Sequence, residues 1–353
     1  MERVAFDPKE LEPVEMLANM IPVAPPVAKR NSPITTKENY QLLLNGEKPL
    51  WITNNDEFVL LTPSCVPDNW ARGMVTNGKM NPPDTLGGKD MFGIEWVFEA
   101  SVNGSMVKQG EPFVKDLEHW EDYITFPNID SWDWEKGVED AAFVLHDGRI
   151  VKVVQMTGLF ERLISFIGME DALVAMIDED VQDAVHRLFD KLCDLYDRLF
   201  EKYKKYFDAD QVWFHDDWGS QRAPFFSYAT VEEMIFPYLK RVTESAHKYG
   251  MTMDFHSCGK VESLVPLMVA AGCDSWDGQP LNDKLAIAKQ FGDKILVNVV
   301  PEVAPDASEE EVAAAIQKTL EDYKGLRFYF GRKMGMNPKI TPMTYELSRK
   351  FLN

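Results

Sequence analysis

Cysteine and basic residues are both scarce in this sequence, and each scarcity excludes a class of protein. The chain has four cysteines in 353 residues. None of them forms a Cys-x-x-Cys pair, so a disulfide-based scaffold is excluded. Lys and Arg together number 37 against 57 Asp and Glu, which gives a net charge of −20. Such a chain is a poor partner for nucleic acid or for anionic lipid, because both are bound through positive charge.

Long apolar runs are also missing. No run approaches the roughly 20 residues that a membrane-spanning helix requires, and the first residues lack the apolar core of a signal peptide. We therefore expect a cytoplasmic protein with reduced thiols. Hydrophobic residues still make up 45% of the chain, which is enough for a sizeable core.

Strand-like and helix-like segments alternate through the second half of the chain. Strands are predicted at residues 151–157, 211–215, 251–256, 275–276, 294–300 and 326–330, and helices at residues 159–167, 180–207, 231–248, 261–271, 282–291 and 308–323. Repeated β–α units of this length favour an α/β protein, a (β/α)8 TIM barrel with an N-terminal extension. A doubly wound open sheet is the alternative, although no Gly-x-Gly-x-x-Gly sequence follows a strand.

The first part of the chain follows a different pattern. Residues 1–35 are proline-rich and are predicted to form an arm that packs on the body or on a partner, which leaves residues 36–353 as the TIM-barrel catalytic domain. A capped helix is predicted from Thr36, and a strand at residues 49–53. Residues 54–150 are rich in Gly, Pro, Trp and Asp and have no regular period, so pattern alone does not predict their fold.

The segment Phe255-His256-Ser257-Cys258-Gly259 carries the strongest chemical signal. It ends a predicted strand, and alternate side chains of a strand point to the same face, so His256 and Cys258 point the same way. An imidazole and a thiolate on one face form half of a tetrahedral zinc site. The alternative is that both side chains are simply packed, since free cysteine is often buried. The position at the C-terminal end of a strand favours the metal site, because α/β folds carry their chemistry there.

Several motifs, in their order along the chain, resemble the uroporphyrinogen decarboxylase superfamily. They are Gly158–Glu161 with Gly168–Leu173, Phe214–Gly219, His256-x-Cys258-Gly259 and Gly335–Pro342. The resemblance covers residues 36–353 and implies a TIM barrel with its site at the C-terminal ends of the strands. It also implies one of two activities, which are porphyrin decarboxylation and corrinoid-linked methyl transfer.

The sequence departs from the decarboxylase branch after the first predicted strand. That branch carries an Arg-Gln-Ala-Gly-Arg-Tyr loop, whose arginines bind the carboxylates of the substrate. Here the segment reads Ile52-Thr53-Asn54-Asn55-Asp56-Glu57. An acidic loop would repel a porphyrinogen that bears many carboxylates, so the methyltransferase branch is favoured.

The methyltransferase branch carries His-x-Cys and a third ligand cysteine in a Cys-Gly-Ile-x-Pro-Lys loop. In this chain Met334 occupies that cysteine position, and a thioether is a poor zinc ligand. Asp277, at the end of the next predicted strand, is the expected third ligand beside His256 and Cys258, since the related cobalamin-independent methionine synthases place a carboxylate near this point. Fewer thiolates give a more electrophilic zinc, which suits activation of an ether oxygen better than activation of a thiol.

Further site residues are predicted at other strand ends. Asp216 and Asp217 follow the strand at residues 211–215, where a carboxylate can position a substrate or supply a proton. Asp217 is the preferred catalytic residue of the two, and the alternative for either is a helix cap or a lysine partner. His215 is interpreted as structural. The predicted substrate-binding residues are Trp218, Asn298, Trp276 and Met334, although each tryptophan can instead belong to the core.

The resemblance implies a methyltransferase of a corrinoid-dependent demethylation system. It would move a methyl group from an O-methylated small molecule, an aryl methyl ether being the favoured donor, to the Co(I) corrinoid of a partner protein, with Zn2+ as its own cofactor. A homodimer is a further expectation. The open alternatives are a metal-free decarboxylase or lyase of the same superfamily, a thiol-activating methylcobamide methyltransferase, and a non-catalytic barrel that binds a corrinoid protein.

Overall fold

A computed structural model describes residues 4–19, 25–73, 75–76, 79–81, 85–100, 104–333 and 335–352. The strands are β1 (Pro13–Leu17), β2 (Val27–Arg30), β3 (Phe58–Leu61), β4 (Val75–Thr76), β5 (Lys79–Met80), β6 (Gly87–Lys89), β7 (Glu95–Glu99), β8 (Gly104–Val107), β9 (Ile150–Gln155), β10 (Gln211–His215), β11 (Thr252–Ser257), β12 (Ser275–Gly278), β13 (Leu296–Val299) and β14 (Phe328–Phe330). The helices are α1 (Thr36–Leu44), α2 (Pro67–Ala71), α3 (Trp134–Ala141), α4 (Leu159–Ile167), α5 (Met169–Ala175), α6 (Gln182–Phe207), α7 (Tyr228–Met234), α8 (Phe236–Lys248), α9 (Val265–Ala270), α10 (Lys284–Phe291), α11 (Glu309–Asp322) and α12 (Ile340–Leu352).

Seven parallel strands among the described residues form the main sheet, in the spatial order β14-β13-β12-β11-β10-β9-β3. A parallel bridge between Asn54 and Phe330 connects the segment before β3 to β14. The sheet is therefore curled until its two edges meet at one bridge, with helices on its outer side. This architecture is α/β and resembles a TIM barrel. The expected closed barrel of eight strands is wrong, because the described residues close the sheet with a bridge and not with a paired strand.

The missing strand is the one predicted at residues 49–53. The backbone amides of Leu50 and Trp51 donate to the side-chain oxygen of Asn39, and the amide of Ile52 donates to Ser348 Oγ. Side chains thus bind the backbone groups that a strand would offer to its neighbours. Regular pairing in the main sheet begins only at β3, where Phe58 lies opposite Ile150 of β9.

The strands and helices of the second half follow the predicted alternation closely. All six residues of β9, Ile-Val-Lys-Val-Val-Gln, are buried, as expected for a parallel strand that is covered on both faces. The helix predicted at residues 231–248 is interrupted at Ile235, and Pro237 then lies in the first turn of α8, where a missing amide proton costs nothing.

Among the described residues, no helix combines the length and apolar character that a membrane span needs.

The predicted N-terminal arm contacts the last helix. The carboxylate of Glu10 accepts hydrogen bonds from Arg349 at 2.6 and 2.8 Å and from the hydroxyl of Tyr345 at 2.8 Å. Glu10 and Arg349 are both buried. A buried ion pair therefore joins the arm to the body, while β1 and β2 pair with each other within the arm.

We expect Ser308→Ala to lower the free energy of unfolding by about 1 kcal/mol, because Ser308 caps α11. Its Oγ accepts from the amide of Glu311 at 3.2 Å, and the Glu311 carboxylate accepts from the amide of Ser308 at 2.8 Å. Urea denaturation followed by circular dichroism measures the change. Lys318→Ala on the same helix removes only an exposed pair with Asp322 and should cost less than about 0.5 kcal/mol. Equal losses for the two variants would contradict the capping role.

Candidate metal centre

The centre of the site is the pairing of β10 with β11. The two strands are parallel, with His215 opposite His256, and alternate positions along each strand share a face. The sequence His215-x-Asp217 therefore runs beside His256-x-Cys258. These side chains form a group, here called the ligand group, whose ligand atoms all lie within 4.8 Å of one another.

Close contact between loops brings the two strand ends together. Gly259 has φ of +90°, and a Cβ atom built there would lie 2.3 Å from the carbonyl carbon of Gly219. A Cβ atom on Gly158, before α4, would lie 2.4 Å from the Cβ atom of Asp216. Any larger residue at either position would separate the loops that carry the ligand group.

The ligand atoms face one another at short range. Cys258 Sγ lies 3.5 Å from His256 Nε2, and His215 Nε2 lies 3.7 Å from Asp217 Oδ1. The two imidazole rings stack with centroids 4.8 Å apart. Asp217 Oδ1 also accepts from the backbone amide of Cys258 at 2.7 Å, which holds the carboxylate beside the thiol.

A carboxylate lies behind each histidine. Glu161 Oε2 is 2.7 Å from His215 Nδ1, and Asp277 Oδ2 is 3.3 Å from His256 Nδ1. Such a carboxylate favours the proton on Nδ1 and leaves Nε2 available to a metal. Arg72 donates to Glu161 at 2.8 and 3.1 Å, so the carboxylate behind His215 is itself fixed.

The charges of the ligand group depend on one another. Burial opposes the imidazolium of His215, but Glu161 and Asp217 raise its pKa to about 9. Burial likewise opposes the charge of His256, but Asp277 and Cys258 hold its pKa well above the usual value. Burial favours the thiol of Cys258, but its contacts with His215 and His256 lower its pKa. Carboxylates and a thiolate in this arrangement attract positive charge, which a divalent cation can supply in place of protons.

The donor set fits zinc. Imidazole nitrogen, carboxylate oxygen and thiolate sulfur are the usual zinc donors, and His215, Asp217, His256 and Cys258 supply them within 4.8 Å of one another. The carboxylates on the outer nitrogens, Glu161 and Asp277, are the support that metal-binding histidines usually have. Met334, at the position where the resemblance placed a ligand cysteine, lies outside the described residues.

The structure places Asp277 differently from the predicted third ligand. Its carboxylate lies on the Nδ1 side of His256 and also accepts from Trp213 Nε1 at 2.9 Å. Among the described residues, the ligand group contains Asp217 and His215 instead. Asp277 is thus in contact with the predicted ligand His256, but on the side of the ring that faces away from Cys258.

Asp216, predicted as a second catalytic carboxylate, is fully buried. It accepts from the amides of Phe160 and Glu161 at 3.1 and 2.9 Å, so it binds the first turn of α4 and does not face the ligand group. Burial and the nearby Glu161 raise the pKa of Asp216 to about 7. Trp218 donates its Nε1 proton to Asp216 at 2.8 Å and is itself fully buried.

The other predicted substrate-binding residues also lie inside the protein. Trp276 is fully buried. Asn298 is 3% exposed, and its amide bonds to Asp277 and to Lys284. All three side chains thus lie in the interior, and their contact with substrate stays a prediction.

Sequence reasoning missed two kinds of residue at this site. His215 was interpreted as structural, although its spacing to Asp217 equals that of His256 to Cys258, and this shared spacing was the available signal. Glu161 and Arg72 gave no comparable signal. They are 89 residues apart in sequence, one at the end of α2 and the other in the first turn of α4.

Comparisons with known proteins are consistent with this fold. The sequence profile described as uroporphyrinogen decarboxylase (URO-D) matches residues 146–346, more than half of the chain. A search of curated proteins finds no match. Among solved structures, a methyltransferase from Methanosarcina mazei superposes with a TM-score of 0.60 at 14% sequence identity, over 90% of this chain and 97% of that chain. A family 10 endo-β-1,4-xylanase from Gloeophyllum trabeum gives a TM-score of 0.37 at 9% identity, over 63% of this chain and 81% of that chain. The match to the methyltransferase shows a shared fold. The TM-score of the xylanase is too low to support a conclusion.

Proposed function

Because this chain belongs to the uroporphyrinogen decarboxylase family, we propose that it is a zinc-dependent methyltransferase of that family. It would take a methyl group from an O-methylated small molecule, with an aryl methyl ether as the favoured donor, and transfer it to the corrinoid of a partner protein. The observation that carries this proposal is the ligand group, which offers one sulfur beside two nitrogens and one carboxylate oxygen.

The chemistry of the donor set favours one of two kinds of methyl transfer. Zinc held by His215, Asp217, His256 and Cys258 would be a Lewis acid for the ether oxygen of the donor if that oxygen joined these ligands or replaced one of them. A site with a single thiolate is more electrophilic than one with several, and so suits an oxygen substrate better than a thiol. In this proposal Asp217 is a ligand and not the proton donor that the sequence suggested, while Glu161 and Asp277 orient the two imidazole rings.

The segment before β3 argues against porphyrinogen decarboxylation. Its residue Asp56 lies 3.6 Å from Arg332, so the guanidinium of Arg332 is already beside a carboxylate. Glu57 accepts from Trp51 Nε1 and from the amide of Asn54, both at 2.7 Å. Residues 52–57 contain none of the arginines that the resemblance associates with decarboxylation.

The corrinoid is assigned to a partner protein and not to this chain. The expectation that the chain lacks the Asp-x-His-x-x-Gly spacing associated with corrinoid binding is wrong, because Asp254-Phe255-His256-Ser257-Cys258-Gly259 has that spacing. However, Asp254 is fully buried and bonds to Lys152 at 2.6 Å and to Ser275 at 2.6 Å. His256 lies between Asp277 and Cys258. His256 therefore belongs with the ligand group, and the proposal leaves the corrinoid to the partner protein.

The test is a methyl-transfer assay with zinc-loaded protein, a methoxylated aromatic and cob(I)alamin as the probe for the corrinoid acceptor. We expect a methylated corrinoid, detected by its visible absorption, and one equivalent of the free phenol. Cys258→Ala should abolish both products, while Cys65→Ser, a change at a partly buried thiol outside the ligand group, should leave them unchanged.

Two results would contradict the proposal. Release of carbon dioxide from a carboxylic acid, at a rate unchanged in Cys258→Ala, would favour a metal-free decarboxylase. Methylation of a thiol by methylcobalamin, without any demethylation of the aromatic ether, would favour the thiol-activating alternative.

A further inference from the structure

A chain of hydrogen-bonded polar groups extends from the ligand group across neighbouring strands to α10. Asp277 Oδ2 contacts His256 Nδ1, and Asp277 Oδ1 accepts a hydrogen bond from Asn298 Nδ2. The side-chain oxygen of Asn298 in turn accepts from Lys284 Nζ. Asn298 is 3% exposed and Lys284 is 7% exposed. The chain thus passes from β11 through β12 and β13 to α10 with little access to water.

The chemistry of these groups permits one arrangement of the amide. A carboxylate only accepts and an ammonium only donates. The NH2 group of Asn298 must therefore face Asp277, and its oxygen must face Lys284. A rotated amide would place two oxygens against each other and leave the buried ammonium without an acceptor. Lys284 consequently fixes Asn298, and Asn298 fixes one oxygen of Asp277.

His215 has a similar but shorter series of contacts on its Nδ1 side. Arg72, a cation whose side chain is 10% exposed, donates directly to Glu161 at 2.8 and 3.1 Å, and Glu161 contacts His215 Nδ1 at 2.7 Å. Each imidazole thus has a carboxylate behind it and a cation of low exposure behind the carboxylate. In one case the contact is direct, and in the other it passes through an amide.

We propose that Asn298 and Lys284 are positioning residues of the metal centre, which hold Asp277 so that His256 presents Nε2 to the metal. This inference rests on the proposed zinc site. Replacement of outer partners of this kind lowers metal affinity by about 10- to 100-fold in known sites. We expect a loss of that size when either residue loses its hydrogen bond.

The experiment measures zinc affinity by competition with a chromophoric chelator, in wild type and in variants of similar side-chain volume. Asn298→Leu and Lys284→Met should each bind zinc about 10- to 100-fold more weakly. Lys284→Arg keeps the charge and a donor, and should bind more tightly than Lys284→Met. Lys289→Met is the matched control, since Lys289 is an exposed lysine of the same helix, and its zinc affinity should equal that of wild type.

A double variant separates positioning from a general structural role. If Asn298 acts through Asp277, then Asn298→Leu should cause no further loss of zinc affinity in an Asp277→Asn background. Additive losses would overturn the inference. Equal zinc affinities in Lys284→Met and Lys289→Met would also overturn the inference. This comparison tests it even if Asn298→Leu does not fold. Wild-type protein that binds no zinc would overturn the metal centre itself, whereas wild-type binding with unaffected variants would overturn only the role of Asn298 and Lys284.

Discussion

Alanine at His215 or Asp217 is expected to lower zinc affinity as strongly as alanine at His256 or Cys258. Binding free energies of about 10–16 kcal/mol for a site with four protein ligands correspond to roughly 3 kcal/mol for each ligand, which is a loss of roughly 100- to 1,000-fold. His215, Asp217, His256 and Cys258 form the ligand group, so each of them should show a loss of this order.

Asp277→Asn should have a smaller effect. Its carboxylate contacts the Nδ1 atom of His256 at 3.3 Å and lies behind the ring, where a change costs about 10- to 100-fold in affinity. The order of losses therefore distinguishes two ligand sets. One contains Asp217 and His215, as the geometry indicates, and the other contains Asp277, as the sequence resemblance implied.

Metal analysis of purified protein after dialysis, followed by competition titration with a chelator, measures these affinities. The control is His247→Ala, because His247 is an exposed histidine that pairs with Asp274 at 2.8 Å and is not in the ligand group. Its zinc content should match that of wild type. The geometric ligand set is refuted if Asp217→Ala retains wild-type affinity while Asp277→Asn loses zinc.

The core of this site was accessible to sequence reasoning because strands alternate strictly. The spacing of His256 and Cys258, with Gly259 directly after them, was sufficient to predict two donors on one face at a strand end. The same rule applied to β10 would have selected His215 and Asp217 together and rejected Asp216. The adjacent Asp216-Asp217 pair drew attention to both carboxylates, although neighbouring residues on a strand face opposite ways.

The outer residues of the site were not accessible in the same way. Asp277 was predicted to lie beside His256, and the register of β11 with β12 pairs these two residues. Strand register does not determine which nitrogen of the imidazole ring contacts the carboxylate. The roles of Arg72 and Glu161 depend on the packing of residues 54–150, which have no hydrophobic period.

The prediction of a closed eight-stranded barrel failed for a related reason. Residues 50–52 look like a strand by composition, yet their amides are bound by the side chains of Asn39 and Ser348.

Residues 54–150 are held to the barrel by a buried ion cluster. Arg162, on α4, donates to Asp68 and, at 2.6 Å, to Asp90. All three side chains are almost completely buried. Both carboxylates also bind the backbone, since Asp68 accepts from the amide of Met91 at 3.1 Å and Asp90 accepts from the amide of Phe92 at 2.9 Å. The guanidinium of Arg162 thus binds residues 54–150 to α4 at two points.

Arg162→Met is expected to lower the free energy of unfolding by about 3–5 kcal/mol, because it leaves two buried carboxylates without their cation. The loss should be visible as a lower urea midpoint. Arg187→Met is the matched control, since Arg187 pairs with Glu121 at 3.3 Å on the surface, and such pairs contribute less than about 1 kcal/mol.

A compensating variant tests whether unpaired charge is the cause. When Asp68→Asn and Asp90→Asn are added to Arg162→Met, no buried charge is left uncompensated in the cluster, and part of the lost stability should return. If the triple variant is instead less stable than Arg162→Met alone, the hydrogen bonds of the carboxylates to the backbone contribute more than their unpaired charge costs. In that case Asp68 and Asp90 would hold residues 54–150 in place even without Arg162.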